Sequence, residues 1–317
     1  MIFRRRLSTI LLIILIYSNN ESAGQEIPLN PISFKVFSPF ILNPAIAGSK
    51  DFFSASLTTS LQGASKSQIL SLNTRLAKKV HSYFLSPGNR EFTKIGIGGF
   101  IFNDLSGSSR NLGAGVSLSY HIPLDRQHFS FLSFGASVKG LNFRKDTVYS
   151  NDPGQSLTLK NIFYPDLDFG IYYYSPTLFA GVSLTNLRGN PYNSGNPGKN
   201  DIKVSRQYYF QTGYKIIINR SLNFLMEPSV IINADGSSQK LPDIIKPMIK
   251  FYLENYCFGT YLNDFDNMAV FFHYKYPRLN IGAFFKFNKR TQYFKHLMVA
   301  EVTLGINLSK YSVHARW

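Results

Sequence analysis

PDLDFGIYYYSPTLFAGVSLTNL, residues 165–187, reads as two strands around a tight turn. In the first, Leu167, Phe169, Ile171 and Tyr173 share one face, and Asp166, Asp168, Gly170 and Tyr172 take the other. In the second, Leu178, Ala180, Val182 and Leu184 oppose Phe179, Gly181, Ser183 and Thr185. A period of two means that each strand meets different environments on its two faces. Ser175-Pro176 makes the turn, where a fixed proline φ and a missing N–H do no harm. Any sandwich contains one such hairpin. Repetition is what decides the fold.

The pattern recurs outward from this hairpin. Residues 53–62 set Phe53, Ala55, Leu57, Thr59 and Leu61 against Ser54, Ser56, Thr58, Ser60 and Gln62. Residues 111–121 alternate Leu112, Ala114, Val116, Leu118 and Tyr120 with small polar residues and glycine. Residues 128–140 place Leu132, Phe134, Ala136 and Val138 against Ser133, Gly135, Ser137 and Lys139. Further strands are expected near 66–76, 94–103, 205–218, 221–232, 244–253, 255–263, 268–275, 278–287 and 297–308. The total is about 14, most of them about 9 to 12 residues long. A globular strand averages about five or six, whereas a tilted bilayer-crossing strand needs about 9 to 11. Short links at 122–127, 175–176, 219–220, 254 and 276–277 alternate with long ones at 141–165, 188–204, 233–243 and 288–296. Link 77–93 breaks the rhythm, being long where a short turn is expected. An even strand count, short turns alternating with long loops and both termini on the periplasmic side describe an all-β, transmembrane antiparallel β-barrel of the outer membrane.

Composition agrees. In 317 residues, 44% hydrophobic, no run after the N-terminus supplies the roughly 18 apolar residues of a membrane helix. That excludes a helical membrane protein and leaves a barrel open. Aromatic residues reach 15%, with 28 Phe and 19 Tyr against one Trp, as aromatic girdles would require. The net charge of +16 comes from 34 Lys and Arg against 18 Asp and Glu. Its carriers are scattered, with no basic helix or zinc spacing, which argues against nucleic acid. Anionic lipid headgroups or an acidic partner suit it better. Residues 1–24 read as a signal peptide, with Arg4, Arg5 and Arg6 before the apolar Leu7–Tyr17 core. Residues 25–52 form an irregular, plug-like N-terminal segment in which Asn43-Pro44-Ala45 and Ala47-Gly48-Ser49 are turns. The barrel is expected over 53–317.

Chemistry is sparse. The histidines, among them His121 and His128, fall mostly at strand ends or in connections, where a solvated ring is expected. No nucleophile elbow, HExxH or phosphate loop occurs. Asp166 and Asp168 share one face about 6 to 7 Å apart, a spacing carboxylate pairs can use. They read as lumen-facing polar residues of the wall. Asn263-Asp264 and Asp266-Asn267 lack the glycine and glutamate of a calcium loop. The single Cys257 excludes an internal disulfide and reads as a small packing residue. No catalytic, cofactor or metal residue is assigned.

Three stretches carry a resemblance. PFILNPAIAGS (39–49), the central hairpin, and YYFQTGYKIIIN (208–219) followed by LNFLMEPSVIINADG (222–236) together resemble the PorP/SprF family of outer-membrane proteins of the type IX secretion system. The chain departs from the family after the first strand. Ser60-Leu61-Gln62 stands there without the arginine-x-glutamine-tryptophan stretch. The resemblance implies a non-enzymatic component without cofactor. It would bind a secreted surface protein, such as an adhesin, through a C-terminal sorting domain and link it to the secretion machinery. It gives Asn43, Pro44, Ala45 and Gly48 a structural or partner-contact role near the periplasmic end. The alternative is a diffusion or ligand-uptake channel plugged by the N-terminal segment.

Overall fold

Strands that are apolar on one face and polar on the other bury both only by closing on themselves within lipid. The structure, a computed structural model, describes residues 33–50, 52–62, 65–76, 94–106, 109–125, 127–145, 160–188, 206–234, 244–263, 267–275, 278–288 and 297–308. The expected signal peptide lies outside them. The strands are β1 (Phe53–Gln62), β2 (Ser65–Arg75), β3 (Ile95–Ser106), β4 (Ser109–Asp125), β5 (Ser130–Lys145), β6 (Lys160–Tyr174) and β7 (Leu178–Thr185). Then come β8, in two pieces (Gln207–Tyr214 and Ile216–Asn219), β9 (Phe224–Ala234), β10 (Ile245–Leu253), β11 (Tyr256–Leu262), β12 (Asn267–Lys275), β13 (Leu279–Asn288) and β14 (Leu297–Leu308).

The pieces of β8 are one strand interrupted at Lys215. Gly213 lies opposite Ser229 and Ile216 opposite Met226, which is one unbroken register on β9. Each strand pairs with its sequence neighbours, and β1 pairs with β14 from Phe53↔Leu308 to Leu61↔Ala300. The barrel is closed, antiparallel and fourteen-stranded. The end at which β1 starts and β14 finishes is called here the terminal end.

The pleat sorts the side chains. Val116 and Val138 lie opposite one another at 57% and 62% exposure, while their neighbours Ser117 and Ser137, also paired, are 1% and 4% exposed. Valine faces lipid and serine faces the lumen. Among the described residues no helix is long and apolar enough to cross a membrane.

Two expectations need correction. Strands β4, β5 and β6 are 17, 16 and 15 residues long, so the connection expected at 141–165 shrinks to 146–159. Pairing continues through Leu141↔Tyr164 to Lys145↔Lys160, inside the stretch expected to be a long connection. Backbone hydrogen bonds between three adjacent strands persist beyond the apolar belt, because a ladder needs partners and not hydrophobicity. The lumen is also less polar than a barrel interior is expected to be. The N-terminal segment enters it as α1 (Phe34–Phe37) and two 3₁₀ turns, Pro39–Ile41 and Pro44–Ile46. Phe34, Phe40, Ile41 and Ile46 there form an internal core with Ile69, Phe100, Phe102 and Tyr164 of the wall. A second cluster, Ile231, Met248, Tyr261, Phe271 and Phe284, receives Val36 and Phe37. Burying each large side chain is worth about 1.5–3 kcal/mol, so the segment is held as a core is held.

Candidate functional site: the lumen and its plug

Asn43 begins the second 3₁₀ turn. Its backbone is extended (φ −132°) and its Oδ1 accepts the Ala45 N–H at 3.0 Å. Pro44 follows where its missing N–H has no intrahelical partner to lose. The amide of Asn43 then reaches the wall, donating to the carbonyls of Ile171 (3.2 Å) and Val182 (3.3 Å) on β6 and β7. The wall answers with hydroxyls. Ser183 donates to Leu42 O (2.8 Å), Ser133 to Ala45 O (2.7 Å) and Ser119 to Ala47 O (2.5 Å). His121 Nε2 donates to the same Ala47 carbonyl at 2.8 Å. Gly48 N–H donates to Asn73 Oδ1 (2.6 Å), and Arg75 Nε donates to Gly48 O (2.8 Å). At the other wall, Ser33 N–H donates to Glu301 (2.9 Å) and Phe37 packs edge-on to Phe271. The segment therefore crosses the lumen from β2–β7 to β12–β14.

Close approach is possible because the wall is small there. A β-carbon on Gly135 or Gly170 would collide with Ala45 or with the Asn43 amide. Gly48 itself has φ +68° and packs on Gly96, so it is glycine for both backbone and space. Asn43, Pro44, Ala45 and Gly48 are thus all inside the barrel, in contact with its wall. The signal for this seat was present in the inward glycines and serines at matching positions on successive strands. It was not legible singly, because each is also ordinary barrel patterning.

Asp166 and Asp168 lie farther along the inner face of β6, both buried. Lys139 Nζ is 2.7 Å from Asp168 Oδ1 and 3.5 Å from Asp166 Oδ2. Asp168 also accepts from Ser137 Oγ (2.7 Å) and the Asn186 N–H (3.0 Å), and Asp166 accepts from the N–H groups of Leu167 (2.8 Å) and Arg188 (3.1 Å). The pair holds the exit of β7, where Asn186 turns back with φ +58°.

His121 is buried, not solvated as its place near a strand end suggested, because the plug closes over it. His128 sits in an exposed turn with Nδ1 2.6 Å from Asp125 Oδ2, and that bond holds the Asp125 carboxyl below its ordinary range. Cys257 faces the lumen in the second apolar cluster. Among the described residues no three His, Cys, Asp or Glu side chains are placed to share a metal ion.

Between the plug and the terminal end lies a chamber of about 840 Å³. Plug residues Lys35, Phe37, Ile46 and Lys50 line it together with wall residues that include Tyr172, Tyr174, Lys215 and Lys275.

Solved barrels show a similar architecture at low identity. A CymD monoaromatic hydrocarbon channel is 10% identical, with 90% of this chain and 93% of that one covered, at a TM-score of 0.44. A KdgM porin is 10% identical, with 81% and 99% covered, at 0.37. BamA from Haemophilus ducreyi lacking POTRA domains 1–3 is 9% identical, with 81% and 70% covered, at 0.38. No curated protein matches the sequence. The family profile described as "Type IX secretion system membrane protein PorP/SprF" matches residues 31–299, which takes in the plug and β1 to β13 and ends at the start of β14. With its plugged fourteen-stranded barrel and a match over most of its length, the chain belongs to the PorP/SprF family of type IX secretion system membrane proteins.

Proposed function

We propose that this protein is a non-enzymatic scaffold of the type IX system. It binds a secreted surface protein through that protein's C-terminal sorting domain and links it to the secretion machinery. It sits in the outer membrane after loss of its signal peptide, with both termini in the periplasm and its apolar belt against lipid. The observation that carries the reading is the plug. A family member whose lumen is crossed by eighteen residues hydrogen-bonded to both walls is built to hold something at its ends, not to pass solutes. Asn43, Pro44, Ala45 and Gly48 serve as the strut that keeps that end in shape. Affinity purification of the tagged protein from solubilised outer membranes, with mass spectrometry of what accompanies it, tests the reading. Type IX components and a protein with a sorting domain are the expected companions. A barrel recovered alone and conducting ions freely in planar bilayers would overturn it in favour of a channel.

A further inference from the structure

Lys35, Lys50, Arg75, Lys215, Lys250 and Lys275 all line the chamber at the terminal end, and among the described residues that line it Glu227 is the one Asp or Glu. Glu227 is already engaged. Its Oε1 is 2.9 Å from Lys250 Nζ and its Oε2 accepts from Tyr252 OH at 3.2 Å. Arg75 is held by Gly48 O and stacks over the Phe131 ring at 5.4 Å. Among the described lining residues, six basic side chains stand with one carboxylate, a positive excess inside a walled space, where fields are screened less than at an open surface.

Lys50 records the crowding. Its surface is open to the chamber, and the barrel wall encloses that chamber. That enclosure, followed by the charges of Lys275, Lys250 and Lys215, brings its pKa down to about 7 against a weaker opposing pull from Glu227. A resident anion would relieve this repulsion.

We propose that the chamber is a receptor for an acidic polypeptide segment entering from the terminal end. Lipid headgroups cannot reach a space enclosed by the wall. A single phosphate is too small for the arrangement. Lys215, Lys250 and Lys275 stand on β8, β10 and β12, an arc of four strand spacings or about 19 Å, which an extended peptide at about 3.3 Å per residue covers with about six residues. Tyr172, Tyr174 and Phe131 on the adjoining wall, β5 and β6, give the peptide an aromatic surface to lie against. The proposal rests on the scaffold reading only for the compartment from which the peptide comes.

The test is binding of a fluorescent hexaglutamate peptide to the full-length protein in detergent, followed by anisotropy. Hexaglutamate binds and hexaglutamine does not. The triple variant Lys50→Gln, Lys215→Gln, Lys275→Gln weakens binding at least about tenfold, a loss of roughly 1.4 kcal/mol. Lys66→Gln, outward-facing near the far end of β2, leaves it unchanged. Should the triple variant fail to fold, judged by its gel shift on heating, Lys215→Gln alone is read for a loss of about threefold. Equal binding of both peptides, or full binding by the variants, overturns the proposal. Displacement by inorganic pyrophosphate at the same concentration as unlabelled hexaglutamate also overturns it and makes the chamber a small-anion site. None of these outcomes touches the scaffold reading, which stands or falls on what co-purifies.

Discussion

Asn43 is the residue on which the plug turns. Its side chain makes one hydrogen bond within the segment and two to the wall, all away from bulk water. Each is worth about 0.5–1.5 kcal/mol net, so Asn43→Ala loosens the plug by roughly 1.5–4.5 kcal/mol. The expected readout is more frequent conducting openings in planar bilayers with an intact barrel; an unchanged, silent barrel would refute it. Asp168→Asn leaves Lys139 with Asp166 alone, at 3.5 Å, so the loss falls below the about 3–5 kcal/mol of a fully broken buried pair. The temperature at which the barrel loses its heat-shifted gel mobility should fall clearly. The exposed Asp125–His128 pair is the control, and Asp125→Ala should not move that temperature.

At the scale of the strand, alternation sets the environment of each position. Val116 faces lipid near the middle of β4, so Val116→Arg should cost about 2–4 kcal/mol of insertion free energy. Refolding yield into lipid vesicles measures this, and a yield equal to the parent's would place Val116 outside the apolar belt. The alternation was readable in the chain because one amphipathic surface requires it. The overhang of β4–β6 was not. Polar residues such as Asn142, Arg144 and Lys145 carry no mark separating a paired strand beyond the belt from a loop.

At the scale of the molecule, plug and wall form one core across the lumen. Deleting residues 33–50 uncovers Phe100, Phe102 and Phe271 inside the barrel and opens a path through it. Conductance should rise and thermal stability fall, while β1–β14 pairing still closes the wall. A deletion that still fails to conduct would show that another part of the chain occludes the lumen. The chamber adds a pH dependence. Because Lys50 titrates near pH 7, acidic-peptide affinity should strengthen as pH falls through 7, with Lys215, Lys250, Lys275 and Glu227 facing it from β8, β10, β12 and β9. Affinity flat between pH 6 and pH 8 would remove Lys50 from the site. Sequence alone determined the strand count, the sense of each face and the family, because those follow from a period of two, from chain order and from local motifs. Only the tertiary structure decided that Asn43 meets Gly170, that Lys139 meets Asp168 and that six cations share one chamber. Those contacts join residues far apart in the chain, and what brings them together is the curvature of a closed wall, which no local pattern records.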